Sequence, residues 1–162
     1  RQKVNTKKLE KILKEEKAIN NYSYKKFNLR LQNVKKVINH FFDNAKKIIG
    51  YGASTKGNII LNHSEVNRKD LRFICDGNQQ KWGQYTPGSN VKIISKEKMR
   101  KLNPKYLFVL IWSFRSEVIK QEIKFILKGG KLVFPLPIFH IIDKNNYKHY
   151  INKKLESFGF NI

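Results

Sequence analysis

The chain has 162 residues, 40% of them apolar, and a formal charge of +22 from 34 basic against 12 acidic side chains. That length supports one domain with a real core and argues against two. The longest uninterrupted apolar run, Tyr106 to Trp112, is far short of the roughly 20 residues that span a bilayer, so no membrane partner is expected.

The single cysteine, Cys75, excludes an internal disulfide and any cysteine-rich metal site, and fits a reducing, cytoplasmic compartment. The N-terminus is charged and amphipathic, unlike a signal peptide. A chain that begins at Arg1 rather than methionine reads as a piece of a longer protein. The charge has two readings. A basic surface attracts any polyanion, with steep salt dependence. Yet the lysines are spread almost evenly from Lys3 to Lys154, form no block with interleaved aromatics, and accompany no helix-turn-helix or RNA-recognition pattern. Compositional bias over solvated faces accounts for them, and no specific nucleic acid is expected.

In chain order, Val4 to Ala18 reads as a short lysine-rich helix. A longer helix follows, whose stripe Phe27, Leu31, Val34, Ile38 and Phe41 is spaced to pack against a sheet. Short apolar runs then alternate with helical stretches. Strands are expected at 48–51, 71–75, 91–94, 106–111 and 132–134, and helices at 57–62, 95–102 and 116–128. Ser95 is an N-cap candidate and Gly129-Gly130 a helix stop. Near-continuously apolar strands alternating with helices predict a doubly wound, Rossmann-like α/β fold. Its mostly parallel sheet of about five strands has helices on both faces. The expected division is N-terminal helices packing on or leading into the sheet (1–46), the α/β core (47–137) and a helical tail (138–162) carrying Phe139, Tyr147, Tyr150, Phe158 and Phe160.

The turn GYGASTKGN, Gly50 to Asn58, joins the first strand to a helix start, the layout that holds phosphate or a nucleotide in α/β proteins. It is neither a dinucleotide fingerprint, since the third glycine falls late, nor a Walker A loop, since Asn58 stands where the lysine belongs. A turn whose glycines serve packing alone is the competing reading. Asp76, at the carboxyl end of the second strand, stands where an acid accepts ribose hydroxyls; a turn or N-cap aspartate is its alternative. QKWGQYTPG (residues 80–88), with Trp82 and Tyr85, then IWSFR (residues 111–115) and Pro135-Leu136-Pro137 also follow strands. All four segments are expected on one rim, where open α/β sheets bind ligands.

Those segments, from Phe27 to Pro137, resemble the C-terminal domain of sugar C-methyltransferases, S-adenosylmethionine-dependent enzymes acting on nucleotide-linked keto-deoxysugars. The resemblance implies a substrate-side domain. It faces a middle domain that binds S-adenosylmethionine and follows a four-cysteine zinc module, both outside this chain. The nucleotide-sugar and that middle domain are the implied partners, and the chain alone is expected to be inactive. By position, Gly50, Gly52, Ser54, Lys56, Gly57 and Asn58 line the substrate loop. Asp76, Lys81, Tyr85, Pro87 and Gly88 match the second motif, and Trp112 and Phe114 the third. Ser113, counted with the substrate-binding residues, stands where histidine or asparagine is common, and Gly77 where a longer, often basic residue is usual. The implied reaction is deprotonation beside the sugar's keto group, then attack of the enolate on the donor methyl. None of His40, His63, His140 and His149 lies on the expected rim, so the base is expected from the absent domains. Two further classes are open: a non-catalytic nucleotide-binding or scaffold module, and a basic nucleic-acid-binding domain.

Overall fold

The computed structural model describes residues 6–153. Val4, Phe158 and Phe160 lie outside the described residues. The chain forms two compact parts, divided between Asn33 and Val34.

The first part holds helix α1 (Thr6–Lys17) and the opening turns of α2 (Asn21–Asn44). Asn20 starts α2 by accepting the amides of Tyr22 at 2.9 Å and Ser23 at 3.2 Å. Along α1, Leu9, Ile12 and Leu13 form one exposed apolar stripe.

The second part is an α/β sandwich built on strands β1 (Ile48–Tyr51), β2 (Phe73–Cys75), β3 (Lys92–Ile94), β4 (Tyr106–Val109), β5 (Lys131–Phe134) and β6 (His140–Ile142). Their order is β3-β2-β1-β4-β5-β6; the first five run parallel and β6 antiparallel to β5. The fold is the expected Rossmann-like one, with six strands rather than five. Both faces are covered, which explains the continuous apolar runs. Ile49, Tyr51, Leu107, Val109, Leu132 and Phe134 face Met99 of α4 (Lys96–Lys101), Val118 and Ile119 of α5 (Arg115–Gln121) and Ile126 of α6 (Ile123–Leu127). On the opposite face, Ile74, Phe108 and Val133 meet Ile38 and Phe41 of α2 and Ile60 and Leu61 of α3 (Thr55–His63).

Three expectations change. The stripe on α2 is not uniformly buried: Ile38 and Phe41 are buried, whereas Phe27 is 57% exposed. Strands of three or four residues match only two or three helical turns. The single helix expected over 116–128 is two, α5 and α6, broken at Glu122. The tail is not purely helical, because β6 precedes the short helix α7 (Tyr147–Ile151). With three residues, β6 is too short for a period to show in the sequence.

His140 of β6 stacks between Phe134, at 5.2 Å, and Tyr150, at 5.0 Å, and its Nδ1–H donates to the Ile138 carbonyl at 2.6 Å. Burial pushes its pKa below the ordinary value of about 6.5, more than the Ile138 bond raises it. The folded pKa is therefore the lower one, and the unfolded chain takes up the proton first as the medium is acidified. This contribution to stability is present above about pH 6.5 and is lost as pH falls through the folded value. The melting temperature should drop between about pH 7 and about pH 5, and less so in His140→Phe. An equal drop in that variant would remove His140 from the account.

Candidate functional site

In the order β3-β2-β1-β4-β5, β1 and β4 are neighbours whose following helices cover opposite faces, so their carboxyl ends mark the switch point of the sheet, the rim where open α/β sheets bind ligands. The turn after β1 forms one side of it. Gly52 has φ +87°, and a Cβ there would stand 2.6 Å from Ile111 Cγ2. Gly50 faces inward: its Cβ would meet Ile74 Cγ1 at 2.6 Å. Gly57, in the first turn of α3, would put a Cβ 2.6 Å from Leu110 Cβ, an atom that no rotamer change can move. The three glycines thus set the spacing of α3, β2 and β4, as the packing reading of this turn anticipated.

Ser54 is the N-cap of α3, accepting the Gly57 amide at 3.0 Å and donating to the Leu110 carbonyl at 3.4 Å. The Asn58 amide closes on the Ser54 carbonyl at 2.9 Å. Lys56 is exposed beside them, and Asn58 is half-buried.

Asp76 knits the loops after β1 and β2. Its Oδ2 accepts the Ala53 amide at 2.7 Å and its Oδ1 the Asn78 amide at 2.8 Å. Lys81 Nζ lies 3.5 Å from that carboxylate and donates to the Ala53 carbonyl at 2.8 Å. Trp82 Nε1–H donates to the Asp76 carbonyl at 2.8 Å. Asp76 and Lys81 therefore organise the turn. On the β4 side, Trp112, Ser113 and Phe114 form a single 3-10 turn. Trp112 is half-buried against both core layers, whereas Phe114 is 57% exposed.

Tyr85, Pro87 and Gly88 do not join this rim. Residues 83–86 run antiparallel along the free edge of β3, with Tyr85 opposite Lys92, the first residue of that strand. Pro87 and Gly88 reach Asn62 near the end of α3; Asn62 donates to the Pro87 carbonyl at 3.3 Å. QKWGQYTPG thus starts at the carboxyl rim and ends at the amino end of the sheet. Capping the exposed edge is what the backbone of 83–86 does there.

Behind the turn lies a polar network that sequence reasoning missed. The Tyr51 hydroxyl donates to Glu122 Oε1 at 2.9 Å and accepts from Lys96 Nζ at 2.6 Å. Glu122 also pairs with Arg100, and Lys96 with Gln121 at 3.0 Å. Burial, then the Glu122 charge, raises the Tyr51 pKa, keeping it a neutral phenol. Burial likewise pushes the Cys75 thiol up to about 12, which removes it as a nucleophile near neutral pH. A signal was present: Glu122 sits on the stripe of Ile119, Ile123 and Ile126, an acid at an apolar position.

A Rossmann-like domain whose switch point lies between β1 and β4, with the loops after β1 and β2 tied together, defines the class. The sequence pattern of the C-methyltransferase C-terminal domain matches residues 1–137, and the chain belongs to that family. C-methyltransferase NovU of Streptomyces niveus is 31% identical over 104 residues, covering 64% of this chain and 25% of that protein. The chain therefore spans about a quarter of that relative's length. The family match ends at Pro137, just before β6. Among the described residues, no helix is long and apolar enough to cross a membrane, and no group of three His, Cys, Asp or Glu side chains is placed to hold a metal.

Proposed function

We propose that this chain is the substrate-side domain of a cytoplasmic S-adenosylmethionine-dependent C-methyltransferase, holding a nucleotide-linked keto-deoxysugar at the carboxyl rim between β1 and β4. The carrying observation is the tied turn. Asp76 accepts the Ala53 amide and Lys81 donates to the Ala53 carbonyl, while Ser54 at the start of α3 donates to the Leu110 carbonyl, two residues before the turn at Trp112–Phe114. Ser54 occupies the amides of Gly57 and Asn58, so an anion would meet those of Thr55 and Lys56, with the Lys56 ammonium beside them. Asn58, Ser113 and Phe114 supply the amide, hydroxyl and ring that a sugar or base contacts. In this reading Gly50, Gly52 and Gly57 shape the turn and touch no ligand.

The methyl donor fits poorly on this chain. The acid in the ribose position, Asp76, already accepts amides on both oxygens, and Ile111 fills the space over Gly52. S-adenosylmethionine, the general base and any zinc module belong, in this proposal, to the rest of the polypeptide. Serine at 113 can orient a substrate oxygen but cannot move a proton near neutral pH.

Calorimetric titration of the chain with dTDP, a dTDP-linked sugar and S-adenosylmethionine tests the reading. Nucleotide-sugar binding should weaken about tenfold in Lys56→Ala, the loss of one charge-assisted phosphate contact. Donor binding without nucleotide-sugar binding would sink it. A scaffold module would bind neither.

A further inference from the structure

Four basic residues that look scattered in the sequence, Arg68, Arg72, Lys92 and Lys98, meet at the other end of the sheet. The register aligns Phe73 of β2 with Lys92 of β3, and Lys92 in turn faces Tyr85. Cross-strand partners share a face, so these three side chains form the floor of an open pocket of about 420 Å³. Arg68, Arg72 and Lys98 border it, and no acidic side chain is among its lining residues. Of the carboxylates close by in sequence, Glu97 pairs with Lys101 at 2.8 Å.

Three of these cations lie over aromatic rings. Arg72 lies 5.3 Å and Lys98 6.0 Å from the Phe73 ring centroid, and Lys92 lies 5.8 Å from that of Tyr85. Four like charges around one opening repel one another, and that cost is relieved when an anion enters. Two are arginines, whose forked donors match phosphate oxygens two at a time. Tyr85 is 54% exposed and offers a ring face beside them.

We propose that this pocket at the amino end of β2 and β3 is a second ligand site, taking adjoining phosphate groups with a planar ring next to them. Either a nucleoside diphosphate or two successive phosphates of a single strand supplies that chemistry. The site stands apart from the carboxyl rim and does not depend on the reading of that rim.

Titration with inorganic pyrophosphate is the first test, on wild type and on the double variant Arg72→Ala/Lys98→Ala. Both pocket side chains are exposed, so the double variant should keep the wild-type circular dichroism spectrum. Its affinity should fall about tenfold or more. Absence of saturable binding, or equal affinity in the double variant, overturns the proposal. A second arm identifies the source. ADP binding tighter than pyrophosphate, with the gain lost in Tyr85→Ala, assigns a mononucleotide. A gain seen only with oligothymidylate, falling steeply with salt, assigns a strand.

Discussion

Replacing Glu122 by alanine is expected to cost about 3 kcal/mol in all, from a buried phenol deprived of its charged acceptor together with the space the side chain leaves. The Glu122 side chain is 1% exposed and serves two partners, the Tyr51 phenol and the Arg100 guanidinium. Arg100 is 44% exposed and can turn to water, so little of the loss comes from it. Tyr51 cannot turn, being 1% exposed and clamped at the end of β1, and it would keep only Gln121 at 3.2 Å as an acceptor. A cavity between α5, α6 and the sheet adds to the cost. The melting temperature should fall by about 6–12 °C for a chain of this size. Glu122→Gln retains an acceptor for the phenol and should lose less. A Glu122→Ala protein melting within about 2 °C of wild type would show the network to be dispensable.

The second large effect is expected at Asp76→Ala. Its carboxylate is 14% exposed and is the common acceptor for two loops that are otherwise separate in the chain. Hydrogen bonds to a charged acceptor are worth roughly 1.5–3 kcal/mol each. The freed amides can reach water as the loops open, so the net loss should be about 2–3 kcal/mol rather than the sum. Exchange of the Ala53 and Asn78 amide hydrogens should accelerate with it. Asp76→Asn keeps one acceptor oxygen and should fall between. Rim ligands should bind more weakly in both variants, in proportion to the loosening. If Asp76→Asn kept its stability yet lost nucleotide-sugar binding entirely, the carboxylate would have to touch the ligand itself.

Much of the fold was legible because its strands are covered on both faces. Ile48-Ile49, Phe73 to Cys75 and Tyr106 to Val109 are apolar throughout, and Ser95 caps α4 by accepting the Lys98 amide at 3.1 Å as its position suggested. What stayed hidden depends on partners far away in the chain. The acid at an apolar position marks Glu122 as unusual but does not reveal its partners, Tyr51, 71 positions earlier, and Arg100, or the helix break that coincides with them. Asp76 offered a ribose contact and a turn role as equals, and the Ala53 amide that favours the latter belongs to a different loop. A segment that follows a strand predicts the rim for Tyr85. A loop long enough to return along β3 carries its second half to the opposite end.

The strands are short, and β2 has only Phe73, Ile74 and Cys75. At about 3.3 Å per residue, the sheet is about 10 Å deep along β2, close to the screening length of about 8 Å at physiological salt. Phe73 belongs to the basic pocket, while Asp76, one residue past Cys75, ties the turn at the carboxyl rim. The intervening material is packed protein, which screens less than salt water. Two anionic ligands, one at each end, would therefore weaken one another without any change of shape. The antagonism would be mutual by thermodynamic necessity and would fade as salt is added.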